Sequence, residues 1–337
     1  MTTRVFWFRV DGGAAIGLGH VARALALAEE AAARGLRPRF ALNDDAAAQA
    51  SVRQRGFADV AVAPPTLDEE VRFLVDAVGD GPLVTDLRGK DPSFYRRLRE
   101  AGVWTCAVDD MGEAIAAHVV VNGGAAPGFA RYEELWPPQR FLVGTAYIPL
   151  APAFAQEPPA ADDPARARLL VTFGGSDADD YARRALAALA PLAPLDVELA
   201  LGPAYRHVDE ARALAAEGPH RVSVHAPAAD MLPLYRRARL ALAAGGITQY
   251  ELLSGGVPTV SIPHVAREEA ECAAFAEAGA VATFPPAELR AGGAALEEVR
   301  RLWDDAGRRR AMAAAGRSLV DGRGAARIID AIAELAP

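Results

Sequence analysis

The residues best suited to chemistry stand in three glycine-rich stretches. The first runs Arg9-Val10-Asp11 and then Ile16-Gly17-Leu18-Gly19-His20-Val21-Ala22-Arg23. Gly17 and Gly19 permit positive φ and a close approach of backbone to a ligand. A helix beginning near His20 would present free N–H groups and a positive dipole end to an anion. His20, in its first turn, could act as a base. Asp11 is close enough in sequence to orient His20 or to bind a sugar hydroxyl, and Arg9 and Arg23 could hold substrate oxygens. Two readings fit this loop: an anion site, or a plain strand-to-helix turn with an incidental surface histidine. It departs from a dinucleotide fingerprint, in which a histidine directly after the second glycine is unusual. Asn43-Asp44-Asp45 is only a partial match to the acidic residue that such a motif needs after the second strand.

The second stretch, Phe173-Gly174-Gly175-Ser176-Asp177, mirrors the first. Two glycines after a strand let amides face a phosphate, and Ser176 could donate to it. Ser176 or Asp177 could equally cap the next helix. The third is Gly245-Gly246-Ile247-Thr248-Gln249-Tyr250-Glu251. Here the N–H groups of Ile247, Thr248 and Gln249 would point at a phosphate. Glu251, one turn inward, could accept from the two hydroxyls of a ribose, or close a capping box with Thr248. Asp86 and Arg88, Asp109-Asp110, His225 and His264 all follow strand-like runs and are weaker candidates. No His/Cys/Asp/Glu cluster has metal-ligand spacing, and neither a Walker A loop nor a nucleophile elbow is present. No metal and no cofactor is expected.

Such loops need strands to end on and helices to begin. In the first half Arg4–Val10, Arg37–Leu42, Leu83–Asp86, Trp104–Asp109 and His118–Asn122 read as strands, with helical patterns at Val21–Arg34, Leu67–Val78 and Ser93–Ala101. Strands alternating with helices of this length imply βαβ units and a parallel sheet. The rhythm breaks over 148–166, where prolines block helix continuation, and it then restarts. Ala167–Phe173, Val197–Leu201, Arg221–Val224, Leu240–Ala243 and Val257–Ile262 read as strands, and Tyr181–Ala190, Val208–Ala216, Thr248–Ser254 and Glu268–Ala278 as helices. From Leu289 to Leu335 only helices are expected. The fold class is therefore α/β, with two doubly wound, Rossmann-like domains at 1–147 and 167–337, a linker at 148–166, and a ligand cleft between the domains at the carboxyl ends of the strands.

Composition narrows the partners. Lys and Arg number 36 against 44 Asp and Glu, a formal net charge of -8. That balance disfavours nucleic acid and anionic membrane surfaces as partners. No apolar run reaches the ~20 residues of a membrane span, so no membrane insertion is expected. Cys106 and Cys272 are too few for a disulfide framework, and with no secretory leader in the opening residues they point to the cytoplasm. The oligomeric state is not readable.

Together these residues resemble the PseG/SpsG group, nucleotide-sugar hydrolases related to the MurG-type glycosyltransferases of the GT-B fold. The resemblance rests on Arg9-x-Asp11, Ile16-Gly17-x-Gly19-His20-x-x-Arg23 and Leu27-Ala28, and continues through Val108-Asp109-Asp110, Val121-Asn122, Tyr132-Glu133, Val143-Gly144-x-x-Tyr147, Gly174-Gly175-Ser176-Asp177 and the helix of Glu251. It covers about residues 4 to 280. It implies a GT-B-like fold and release of UDP from a UDP-deoxyamino-sugar, in nonulosonic acid (pseudaminic acid) or surface-glycan biosynthesis. It also implies His20 as the base that activates water, Glu251 as the ribose ligand, and Gly174, Gly175 and Thr248 around the diphosphate. Two positions depart from the pattern. Asp86-Leu87-Arg88-Gly89 stands where the group often has Asp-His-Tyr-Gly, and Arg267-Glu268 where it has an Asn-Gln pair. Both touch the sugar side. Three functions are thus expected: a nucleotide-sugar hydrolase first, a GT-B glycosyltransferase second, and a non-catalytic nucleotide-sugar-binding protein third.

Overall fold

A computed structural model describes residues 4–13, 16–126, 132, 135–228 and 230–336. Glu133 of the family pattern lies outside the described residues. The chain forms two compact units, Met1–Pro152 with Gly322–Pro337, and Ala153–Asp321.

The first unit runs β1 (Val5–Val10), α1 (Gly19–Ala33), β2 (Arg37–Leu42), α2 (Ala46–Gln54), β3 (Val60–Val62), α3 (Leu67–Val78), β4 (Leu83–Asp86), α4 (Ser93–Glu100), β5 (Thr105–Val108), β6 (Val119–Asn122) and β7 (Arg140–Val143). Its sheet has the order β3-β2-β1-β4-β5-β6-β7, and its paired strands are parallel. Side chains alternate across β1 as the pleat requires. Phe6, Phe8 and Val10 enter one core with Val21, Leu25 and Ala28 of α1. Trp7 enters the other, with Leu74 of α3 and Leu98 of α4. Both faces are covered, which is why these strands read as near-continuous apolar runs. The elements not anticipated are short or weakly apolar. β3 has three residues, none of them buried, and α2 is defined less by an apolar face than by its cap, since Asp45 Oδ1 accepts the Ala48 N–H at 2.9 Å.

The second unit runs β8 (Arg168–Thr172), α5 (Tyr181–Leu189), β9 (Asp196–Ala200), α6 (Val208–Glu217), β10 (Arg221–His225), α7 (Leu232–Arg237), β11 (Ala238–Ala243), α8 (Ile247–Ser254), β12 (Thr259–Ser261), α9 (Ala266–Glu277), β13 (Ala282–Thr283), α10 (Ala294–Asp304) and α11 (Ala306–Leu319). Its sheet has the order β10-β9-β8-β11-β12-β13 and is parallel throughout.

The last helix, α12 (Gly324–Leu335), belongs to the first unit and not to the second, where the alternation alone had placed it. Its apolar face explains the assignment: Ala325, Ile328, Ile329 and Ile332 are buried in the same core as α1 and the even residues of β1. Arg34 of α1 reinforces the contact through Asp330 Oδ1 at 2.7 Å. Among the described residues no helix is long and apolar enough to cross a membrane.

Ile328 is fully buried. Ile328→Ala is expected to lower the unfolding free energy by about 3 kcal/mol, the cost of a large-to-small core change. Urea denaturation followed by circular dichroism measures it; an unchanged midpoint would mean that α12 does not complete the first core.

Candidate active site

Each sheet changes direction once. In the first unit the chain moves from β1 outward to β2 and β3, then returns to β4 on the other side, so β1 and β4 are neighbours with a crevice beyond their carboxyl ends. In the second unit β8 and β11 hold the same relation. Ligands of doubly wound folds bind at such points, and the three glycine-rich stretches follow β1, β8 and β11.

The loop after β1 is closed on itself. Gly13 and Gly17 exchange both backbone hydrogen bonds, at 3.1 and 2.7 Å. Asn43, after β2, pins Gly12 by accepting its N–H and donating to its carbonyl, each at 2.9 Å. Gly17 has φ +86°, a conformation that favours glycine, whereas Gly19 is the ordinary first residue of α1. A Cβ at either would meet nothing within 4 Å, so these glycines leave room rather than fill it.

His20 is buried, 5 % exposed, and its orienting partner is Asp86 rather than Asp11. The register explains the substitution. Val10 pairs with Asp86 across β1 and β4, which sets the carboxylate beside the first turn of α1. Nδ1 of His20 lies 2.5 Å from Asp86 Oδ1 and 2.8 Å from Nη2 of Arg23. One ring nitrogen cannot donate to a carboxylate and accept from a guanidinium at once. The shorter contact would set two lone pairs together unless Nδ1 carries the proton, so Nδ1–H donates to Asp86, and in the neutral ring the lone pair is on Nε2.

Arg23 grips the same carboxylate from the side, Nε to Oδ2 and Nη2 to Oδ1, both at 2.8 Å. Its Nη1 donates to Asp110 Oδ2 at 3.0 Å. Burial works against the charge of this guanidinium, but the attraction and hydrogen bonds of Asp86, then Asp110, hold its pKa above the ordinary arginine value. Arg23 is thus taken up by the carboxylates of Asp86 and Asp110. Arg9 is likewise taken up. It is 3 % exposed, with Nε on Glu70 Oε1 and Nη1 on Asp11 Oδ1, both at 2.5 Å. Lys90 completes that group through Glu70 Oε2 at 2.6 Å. Glu70 and Lys90 carried no signal in the sequence beyond the acidic first turn of α3.

Arg88, by contrast, is exposed, with Nη2 donating to Asp110 Oδ2 at 3.2 Å. After β5, Asp109 organises its loop by accepting the N–H groups of Met111, Gly112 and Glu113 at 2.9, 2.8 and 3.2 Å. It also accepts the Tyr132 hydroxyl, which in turn accepts from Asn122 Nδ2 at 2.9 Å. Burial first, and the bond to Asp109 next, push the Tyr132 phenol well above its usual range.

In the second unit Gly174 has φ +83°, and a Cβ at Gly174 or Gly175 would meet open space. Ser176 is exposed, and the capping falls to Asp177, whose Oδ1 and Oδ2 accept the N–H groups of Tyr181 and Ala182, each at 2.8 Å. α8 starts from Gly246, φ +68°, with no side-chain cap, which leaves Ile247 and Thr248 in its open first turn. Glu251 is no capping-box partner, because Gly246 is the cap residue. Instead its Oε2 accepts the Tyr235 hydroxyl at 2.6 Å. Burial pushes the Glu251 carboxyl up to about 7, with the Tyr235 bond pulling the other way.

His264 follows β12, stacked on Tyr181 at 4.1 Å and Phe173 at 5.7 Å between ring centroids. Burial lowers its pKa. Arg267 donates to Glu271 one turn along α9, at 3.5 Å. His225, at the end of β10, faces Glu198 at 2.5 Å and so belongs to an ion-pair group on that strand rather than to the glycine turns. Among the described residues no three His, Cys, Asp or Glu are placed to hold a metal.

Asp86→Asn would leave Arg23 and His20 without their shared charge. It is expected to lower stability by about 3 kcal/mol, the range for breaking a buried pair, and to shift His20 away from its Nδ1–H tautomer. Nitrogen-15 NMR of the imidazole tests the second point. A wild-type ring protonated at Nε2 alone would overturn the assignment.

No family model matches the chain. The spore coat polysaccharide biosynthesis protein SpsG of Bacillus subtilis (strain 168) is 26% identical over 339 residues, covering 96% of each chain. MurG of Acinetobacter baumannii superposes with a TM-score of 0.70 at 16% identity, over 98% of this chain and 100% of the other. The calicheamicin glycosyltransferase CalG4 gives 0.65 at 18% identity over the whole of both chains. The fold is thus the two-domain α/β fold of the GT-B glycosyltransferases.

Proposed function

We propose that the protein transfers a glycosyl group from a nucleotide-sugar in glycan biosynthesis, with His20 as the base. The observation that carries this reading is the His20–Asp86 pair at the switch point of the first sheet. A buried carboxylate holds Nδ1–H, and Nε2 is left to take a proton. The acceptor hydroxyl loses its proton to Nε2, its oxygen attacks the anomeric carbon, and the bond from that carbon to the phosphate oxygen breaks. The nucleoside diphosphate leaves with the electron pair. The second unit holds the nucleotide: amides at the start of α8 and the turn at Gly174-Gly175 face the diphosphate, and Glu251 takes the ribose. Such electrostatic stabilisation of the leaving group needs no side-chain nucleophile.

The likeness to SpsG, a spore coat polysaccharide biosynthesis protein, supports a place in glycan biosynthesis. The pattern from Arg9 to Arg23 favours a second reading, in which water takes that place and a UDP-deoxyamino-sugar is hydrolysed. The base and its partner serve both. UDP as the nucleotide and the cytoplasm as the location rest on the sequence readings alone.

A panel of UDP-, CMP- and dTDP-sugars separates the two. Release of nucleotide without acceptor marks the hydrolase, and release only when an acceptor glycan is added marks the transferase. In either case His20→Ala should reduce turnover by about 10²–10⁴-fold, and turnover unaffected by the change would sink the role of His20.

A pH profile tests Glu251. Accepting from two ribose hydroxyls requires the carboxylate, so affinity for a UDP-sugar should rise as pH increases through about 7 and flatten in Glu251→Gln. Because the folded pKa is raised, the unliganded protein has the opposite linkage: wild type should lose stability relative to Glu251→Gln as pH rises from the ordinary carboxyl range through about 7. Isothermal titration and thermal unfolding at pH 5, 6, 7 and 8 read the two slopes. A UDP-sugar affinity independent of pH in both proteins would remove Glu251 from the site.

A further inference from the structure

The turn at Gly245-Gly246 is occupied from within the chain. Glu268, in the first turn of α9, extends its side chain along the turn. A Cβ on Gly245 would stand 2.7 Å from Glu268 Cβ, 2.9 Å from Cγ and 3.1 Å from Cδ, and one on Gly246 would stand 3.2 Å from Oε1. Oε2 accepts the backbone N–H of His264 at 2.9 Å, which holds the carboxylate in place. The glycine at 245 is thus required by the glutamate methylenes that pack on it. The carboxylate itself lies against the residue that begins α8, a helix with no side-chain cap of its own. The first turn of α8 also carries Gln249, 1 % exposed, whose Nε2 has no partner among the described residues. A fixed negative charge therefore stands at the place where the nucleotide reading puts a diphosphate.

We propose that Glu268 is a specificity-determining residue that favours the glycosylated diphosphate over the free nucleoside diphosphate. This rests on the assignment of the nucleotide to the second unit. The chemistry follows from charge. While the sugar is attached, the terminal phosphate carries one ester and one anhydride bond and has one negative charge. When the glycosyl bond breaks, the electron pair stays on the phosphate oxygen, and that phosphate, now held only by its anhydride bond, gains a second ionisation near pH 6. At neutral pH the product carries about one more negative charge than the donor. A carboxylate beside the turn repels both, and the product more. The positive end of α8 draws the diphosphate in, while Glu268 limits how firmly the spent nucleotide is held.

The test compares equilibrium binding of UDP and of UDP-N-acetylglucosamine to wild type, Glu268→Gln and Glu269→Gln, by isothermal titration at pH 7.5 in EDTA. The Glu268→Gln change keeps an acceptor for the His264 N–H and the packing on Gly245. Glu269, exposed in the same turn of α9, controls for the loss of one charge at that helix end. For charges about 5 Å apart in a wet site, Glu268→Gln should tighten UDP roughly tenfold and the UDP-sugar by about threefold. The gap should shrink in high salt, and Glu269→Gln should bind as wild type does. Equal tightening of the two ligands, or no change, overturns the inference while leaving the nucleotide site in place. Weaker UDP binding in Glu268→Gln that depends on added Mg²⁺ also overturns it, since the carboxylate would then be sharing a cation. If UDP binds none of the three proteins, the nucleotide reading itself fails and takes the inference with it.

Discussion

The buried carboxylate of Asp86 is the point on which the first unit turns. It is 2 % exposed and carries the imidazole of His20 and two nitrogens of Arg23. A carboxylate removed from water is costly unless paired and fully hydrogen-bonded. Here the pairing is bidentate with an arginine, the geometry that best matches a planar guanidinium to two oxygens. Arg23 passes the constraint on to Asp110 after β5, and Asp110 shares an oxygen with Arg88. Thus the ends of β4 and β5 are tied by one chain of charges, and α1 is locked to the sheet at its start. The histidine is held by the same interaction that holds the fold.

The two units solve the problem of polar groups at strand ends differently. The first uses side chains in ion networks: Arg9, Glu70 and Lys90 on one side, and Arg23, Asp86 and Asp110 on the other. Such networks are rigid and leave few charges to be reorganised. At its glycine turns the second relies on helix starts, with carboxylates bound by uncharged donors: Glu251 by Tyr235, Glu268 by the His264 amide, Asp177 by two amides at the start of α5. A site built from amides tolerates an anionic guest, and one built from a preorganised histidine and carboxylate suits proton transfer. An acidic chain is no obstacle to the proposed anion site, because the local field there would come from helix ends rather than from net charge.

Much of this was legible in the order of residues. Apolar runs of four to six residues, buried on both faces, give no alternation to mislead, so β1, β2, β4, β8 and β11 stand out together with the helices between them. Glycines after strands marked all three turns, since each contains a position at positive φ: Gly17, Gly174 and Gly246. The short elements were missed where the local pattern is faint. β3 has three residues, and α2 depends on its Asp45 cap more than on an apolar face. α12 carried a clear apolar stripe, but a stripe does not say which core it covers.

The sequence by itself determined the alternation of strands and helices, the glycine turns, and the presence of a histidine at the first turn of α1. These depend on residues near one another along the chain, where period, conformational freedom and capping act. Only the tertiary structure decided which side chains pair. Asp86 instead of Asp11 beside His20, Glu70 under Arg9, Tyr235 on Glu251 and Glu268 over Gly245 all join residues on different elements. Those partners are chosen by strand order and register, and a shift of either would put different groups together while every local pattern stayed the same.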